Sequence, residues 1–420
     1  MPGHIRGFFH CVAKCPGPAR FERARRWCRI DAAGRSRSAK RRSGDSAVSR
    51  YQHLNALLRL CLAIAGAGAI GSPATAQSTG GQPFRIVRND PALDALIEPD
   101  ARLELIGDRF GLTEGPVWVP DGDQGFLLVS DLISNVIYRW SPGQPISVYL
   151  ERAGYSGDDI MHAGFQTRRG RMAVLLIGPN GLSLDAQGRL IYLAAPDRRV
   201  MRLEPDGTRT VIAEGYQGKR FNGPNDLWIR SDGAIYLTDS IWGIRDGLAN
   251  PDAGLDFSGV FLIKDGRVTL LYSDKDNPGG FPNGIVLSPD ERYLYMNAGS
   301  QNILRYEVRA DGTIANGKVF FPGEASDGMK VDTLGNLYTT SGAGPGQVRI
   351  TSPDGTRLGV LALPIPAGEP QAQVCATNVA FGDNDGRTLY VTACEHVYRI
   401  RMKVPGVLPH IASNDSRRTQ

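Results

Sequence analysis

One short pattern recurs six times along this chain and restricts its fold more than any other feature. A polar residue stands just before a short apolar run at Glu114 (EGPVW), Asn180 (NGLSL), Asn225 (NDLWI), Asn283 (NGIVL), Asp327 (DGMKV) and Asn378 (NVAF). Eight residues after each come Gly122, Gly188, Gly233, Glu291, Gly335 and Gly386. Five of these six are glycine, as a tight hairpin turn with positive φ favours. A second apolar run follows every turn (FLLV, LIYL, IYLT, YLYM, LYTT, TLYV), and a third recurs six times, from NVIYRW at 135–140 to HVYRI at 396–400.

The polar positions are 66, 45, 58, 44 and 51 residues apart, a spacing suited to one four-stranded sheet per repeat. Helical periodicity is scarce after Gln77, and Gly, Asp, Asn and Pro turns separate the runs. The expected fold is therefore all-β, a six-bladed β-propeller of four-stranded antiparallel blades. A β-sandwich would not require six copies of one three-strand pattern. The longest irregular insertion, Glu151 to Arg171, falls between the first two repeats and is expected to form a flap over one face.

In a propeller the innermost strand of each blade runs the same way along the central channel. Glu114, Asn180, Asn225, Asn283, Asp327 and Asn378 should then converge at one mouth. Two carboxylates and four amides, with neither His nor Cys, make an oxygen-rich ring suited to a hard divalent cation such as Ca²⁺, with Zn²⁺, Mg²⁺ and Mn²⁺ as alternatives. Asn or Asp before Gly is also an ordinary turn signal. A turn alone does not require the same phase in every repeat.

The formal charge of +5 suggests at first a nucleic-acid or membrane partner. Residues 1–76, however, carry a net +11, so the remaining 344 sum to −6. Arg50 and Arg59, the apolar run Leu60 to Ile70 and Ala74-Thr75-Ala76 read as a secretory signal, too short to remain as a membrane span. The expected organisation is a basic, disordered or mis-started extension (1–49), a signal peptide (50–76), a lead-in (77–99), the propeller (100–403) and a flexible tail (404–420). This implies export to the periplasm or medium, no nucleic-acid partner and no stable membrane insertion after signal removal, and leaves the oligomeric state open. Only Cys375 and Cys394 lie beyond the signal. A hairpin with Gly382 opposite Arg387 would make these cysteines cross-strand partners. A disulfide is the expectation, two buried free thiols the alternative.

Glu114-Gly115-Pro116-Val117-Trp118, the stretch Gly218 to Asp226 (GKRFNGPND), Pro282-Asn283-Gly284, Asp327-Gly328-Met329, Asn180-Gly181 and Thr377-Asn378 resemble, in this order, the gluconolactonase/regucalcin-like (senescence marker protein) family over about 100–403. That resemblance implies a six-bladed propeller with one divalent metal at the channel mouth, acting on small-molecule lactones. Position by position it assigns Glu114, Asn225, Asn283 and Asp327 to the metal, and Asn180 and Asp226 to the substrate. Asn378 completes the substrate wall. Ala194-Ala195-Pro196 and Ser240-Ile241-Trp242-Gly243 depart from the family pattern and should reshape the pocket. A bound metal would polarise the lactone carbonyl, and Asp327 is the expected ligand and general base.

Other motifs add little. No Gly-x-Ser-x-Gly elbow or phosphate loop is present. His162 could reach the mouth from the insertion, His396 reads as a surface or core residue, and Lys219 and Arg220 could bind an anionic product. A strictosidine-synthase-like enzyme and a non-catalytic, metal-binding propeller that recruits a protein remain as alternatives on this scaffold.

Overall fold

A computed structural model of the chain describes residues 81–161, 163–169, 172–250, 252–275, 281–297, 302–342, 344–368 and 374–412. The proposed extension and signal peptide lie outside them, as do His162 and residues 413–420.

The six repeats form six antiparallel blades around a channel. The inner strands are Thr113–Val119, Leu182–Leu184, Pro224–Ile229, Ile285–Leu287, Met329–Val331 and Asn378–Gly382. In blades 1 to 5 the next three strands follow in chain order, as in blade 1 with Phe126–Asp131, Val136–Trp140 and Ser147–Glu151. Blade 6 draws three strands from the C-terminal part and its outermost one, Glu104–Gly107, from the N-terminal part. Leu105 pairs with Tyr398, and the Glu104 carboxylate meets Arg399 at 2.7 Å. The ring thus closes with strands from opposite ends of the chain, which leaves no open end to the array.

The turn glycines behave as their spacing requires. Gly122, Gly188, Gly233, Gly335 and Gly386 all have φ between 57° and 86°. Glu291 takes the equivalent turn at φ 57°, and its carboxylate accepts bonds from Ser231 N at 2.7 Å and Ser231 Oγ at 2.6 Å. Those bonds help hold a left-handed conformation that a non-glycine residue seldom adopts. The second strands of five blades each carry a buried tyrosine, Tyr192, Tyr236, Tyr295, Tyr338 and Tyr390. Buried tyrosines need partners for their hydroxyls: Tyr236 donates to Gly312 O at 2.8 Å and Tyr390 to Asp383 Oδ1 at 2.6 Å.

The segments on both sides of the propeller repeats are bonded to its blades. Within the lead-in, Arg85–Arg88 adds a fifth strand to blade 5 beside Arg357–Ala362. A short 3-10 helix, Pro91–Ala95, follows it and helps bury Leu93 and Ile97. The tail, expected to be flexible, is bound from 404 to 412. Thr333 N donates to Pro405 O, Val407 N to Val331 O and Ala412 N to Ala186 O, so the segment crosses from blade 5 to blade 2 on the face opposite the mouth. Gly406 lies so close to Phe381 that a Cβ there would sit 1.8 Å from the ring.

The hairpin register also differs by one residue. Asn378 opposes Thr392 and Gly382 opposes Thr388, giving a five-residue loop in place of four. Asp383 takes φ 59° in that loop and accepts bonds from the Thr388 and Tyr390 hydroxyls, which anchor the wider turn. Cys375 and Cys394 lie just beyond the paired residues. The structure joins them in a disulfide with Cα atoms 5.6 Å apart.

Candidate functional site

The six polar repeat residues do meet at one mouth, and interblade bonds hold them level. Ser130 Oγ donates to Asn180 O at 2.6 Å, Gly181 N to Asn225 O at 2.9 Å, Gly284 N to Asp327 O at 2.9 Å, Gly328 N to Thr377 O at 2.7 Å and Thr377 Oγ1 to Thr113 O at 2.7 Å. The Asp226 carboxylate, facing Ile285 N, completes the circuit between blades 3 and 4. Gly115 makes one joint possible. It has φ 49°, and a Cβ there would lie 2.3 Å from Asn180 O.

Side chains form a second circuit above the backbone one. Asn180 Nδ2 donates to Asn225 Oδ1 at 2.7 Å, Asn225 Nδ2 to Asn283 Oδ1 at 3.1 Å, and the Asn283 side chain bonds the Asp327 carboxylate. From the other side, Asn378 Nδ2 donates to Glu114 Oε2 at 3.0 Å. The amides therefore point their oxygens round the ring, and among the described residues the buried Asn180 Oδ1 has no hydrogen-bond partner.

The carboxylates are held in an unfavourable state. Burial pushes Glu114 up from 4.5 to about 7, although bonds from Gly115 N and Asn378 oppose the shift. Burial and the neighbouring Glu114 charge push Asp327 well above the usual carboxylate range. Asp226 is raised by burial and opposed chiefly by Lys330. Its neighbours Ile285 and Lys330 lie further along their strands than Asn283 and Asp327, so Asp226 reaches into the channel beneath the mouth.

Lys330 is the residue that sequence reasoning overlooked. It lines the channel with Pro116, Val117 and Leu227, and the tail residues Val407 and Pro409 border the same space. The available signal was a lone cation in the apolar inner strand Met-Lys-Val.

These donors fit a hard divalent cation. Two carboxylates are buried there with Glu114 raising the proton affinity of Asp327, amide oxygens surround them, and one of those oxygens has no partner among the described residues. Among the described residues no group of three or more His, Cys, Asp and Glu is placed to hold a metal. A site here would rest on Glu114, Asp327 and the oxygens of Asn225 and Asn283.

Two insertions stand at the mouth-side ends of second strands. The flap contains a hairpin, Phe165–Arg169 with Met172–Leu176. It leans on the blade 3 insertion, where Phe165 meets the Trp242 ring edge-on at 4.9 Å and Arg245 donates to Met161 O at 2.9 Å. Asp158 is exposed and paired with Arg152. Lys219 faces Asp256 at 4.0 Å, and Arg220 donates to Asp197 O. The departure residues Ala195 and Gly243 pack together, since a Cβ on Gly243 would lie 2.2 Å from Ala195 O.

Comparison with known proteins agrees with this architecture. The SMP-30/Gluconolactonase/LRE-like region matches residues 112–395. A gluconolactonase of Zymomonas mobilis is 32% identical over 378 residues, covering 86% of this chain and 99% of its own. A 6-deoxy-6-sulfogluconolactonase of Pseudomonas putida is 27% identical over 261 residues, covering 50% of this chain and 85% of its own. The structure of a Xanthomonas campestris gluconolactonase superposes with a TM-score of 0.59 at 27% identity, covering 80% of this chain and all of that one. The calcium-binding protein regucalcin of Agrobacterium tumefaciens shares the fold, with a TM-score of 0.55 at 17% identity, covering 74% of this chain and 97% of its own. With its six-phase ring, its closed propeller and these relatives in agreement, the chain belongs to the SMP-30/gluconolactonase family.

Proposed function

We propose that this lactonase opens a sugar-derived lactone at the mouth ring, with one divalent cation held by Glu114, Asn225, Asn283 and Asp327. Family membership and the gluconolactonase relatives support lactone hydrolysis over the other readings of this scaffold. The observation that carries the finer reading is the convergence of Glu114 and Asp327 among amide oxygens in a desolvated ring. All-oxygen donors favour calcium over softer metals. When bound, such a cation supplies Lewis-acid polarisation of the lactone carbonyl.

The chain's own residues account for the proton transfers. Asp327, raised by burial and by Glu114, has the proton affinity of a general base. It removes a proton from water as the water oxygen bonds to the carbonyl carbon. The ring C–O bond then breaks, and the departing oxygen recovers that proton, which yields the open hydroxy acid. Asn283 holds the Asp327 carboxylate in place. Asn180 and Asn378 keep the adjoining ring ordered for substrate, and Asp226 sets the charge below it.

Acid release from a panel of aldonolactones, with and without chelator, tests this reading. Chelator should abolish release and calcium restore it, while Asp327→Ala should stay folded and inactive. Chelator-insensitive turnover, or an active Asp327→Ala enzyme, would overturn it. The same reading includes export, and the mature protein should begin at Gln77.

A further inference from the structure

Among the described residues, two blades share a device seen in no other. The second strands of blades 1 and 3 end on Asp131 and Asp239, and both residues are fully buried. The second strands of blades 2, 4, 5 and 6 end instead on Ala194, Asn297, Thr340 and Ala393. Each aspartate lies opposite the residue just before a ring position. Asp131 pairs with Thr113, next to Glu114, and Asp239 pairs with Pro224, next to Asn225.

The two carboxylates also hold the backbone at the same offsets. Asp131 Oδ2 accepts from Gly111 N at 2.7 Å and Oδ1 from Leu112 N at 3.2 Å, three and two residues before Glu114. Asp239 accepts from Asn222 N at 2.9 and 3.0 Å and from Gly223 N at 2.7 Å, three and two residues before Asn225. Both inner strands then shift register, between Glu114 and Val117 and between Pro224 and Leu227. The chain therefore departs from regular pairing just where a ring residue must turn into the mouth.

The wall beside each ring residue is held too, by Asp131 itself in blade 1 and by the side chains of Asn222 and Arg198 in blade 3. Asp131 accepts from Ile133 N, Ser134 N and Ser134 Oγ, where the chain leaves blade 1. In blade 3, Asn222 Nδ2 donates to Leu255 O and Phe257 O, and the buried Arg198 binds Phe221 O and Asp252 O. Two oxygens that only accept can serve several N–H groups at once. An asparagine would turn an NH₂ toward one of them.

We propose that Asp131 and Asp239 are a matched pair of positioning residues that set Glu114 and Asn225 at the mouth for cation and substrate. They touch neither and act through the two backbone N–H groups ahead of each ring residue. This inference rests on the cation reading above.

Asp131→Asn and Asp239→Asn test it against Asp332→Asn. Asp332 is equally buried and holds Leu334 N and Asn336 N in a turn at the far end of the blade 5 inner strand. Each full-chain variant is compared with wild type well below its own melting temperature, by calcium titration calorimetry, by amide exchange over 109–116 and 219–227, and by kcat on a hydrolysed lactone. The pair variants should speed exchange in their own segment and lose calcium affinity and kcat by at least about tenfold. Asp332→Asn should lose stability alone. Pair variants that exchange faster yet match Asp332→Asn in affinity and kcat would overturn the proposal. If wild type takes up no calcium, the cation reading fails, and exchange and kcat decide the role of the pair.

Discussion

Replacing Glu114 with glutamine should stabilise the cation-free protein while removing its function. In the fold this carboxyl keeps its proton up to about pH 7, whereas its ordinary value is 4.5. A group that binds its proton more tightly when folded contributes most below its unfolded value, and that contribution is lost as pH rises through the folded one. Between these limits the cation-free protein should weaken, and above them the ionised Glu114 costs on the order of 3 kcal/mol. Glutamine removes this cost and can keep both bonds at Oε2, from Gly115 N and Asn378 Nδ2, because its single carbonyl oxygen accepts twice. Thermal unfolding of chelated protein would show the effect. Glu114→Gln should melt about 5 °C above wild type at about pH 8, and close to it at about pH 4. Calcium should raise the wild-type midpoint and leave the variant nearly unmoved. A variant destabilised at the higher pH would refute the reasoning, since Glu114 would then be well accommodated without a cation.

Reducing the Cys375–Cys394 bridge, which closes a 19-residue separation, should cost about 3 kcal/mol in denaturant unfolding. A double serine variant should show the same loss and no response to reductant. Gly406→Ala places a methyl group against Phe381 and should cost about 2 kcal/mol, read as a lower midpoint with calcium affinity retained. Gly115→Ala combines a left-handed φ with a Cβ 2.3 Å from Asn180 O, so turnover should be lost along with stability. An unchanged kcat there would argue that Asn180 need not sit where the ring holds it.

Phase made the ring legible from sequence. Glu114, Asn180, Asn225, Asn283, Asp327 and Asn378 each precede an apolar run and a left-handed turn eight residues on. A repeated fold turns that linear regularity into a circle. Asp131 and Asp239 escaped notice because the bonds by which they hold the approach to Glu114 and Asn225 run to residues 16 to 20 positions earlier in the chain. The docked tail was unreadable for a similar reason. Val404 to Ala412 has no periodicity of its own, and Val331, Gly386 and Ala186 decide its path. The missed hairpin register is a finer case, since Asp383 could lengthen the loop by one residue only after Thr388 and Tyr390 were in reach.

The pairing of Glu104–Gly107 with His396–Arg401 also bears on the order of folding. The bond between Glu104 and Arg399 joins residues 295 positions apart. Such a long closure carries a large entropic cost and is met late. Blades 1 to 4 draw all their strands from contiguous stretches and can form while synthesis continues. Blade 6 cannot be completed until His396 to Arg401 has left the ribosome, although its outermost strand is made before any of the six inner strands. A chain cut short before 396 should carry an unpaired edge at Glu104 to Gly107, and that edge is the expected starting point for its aggregation.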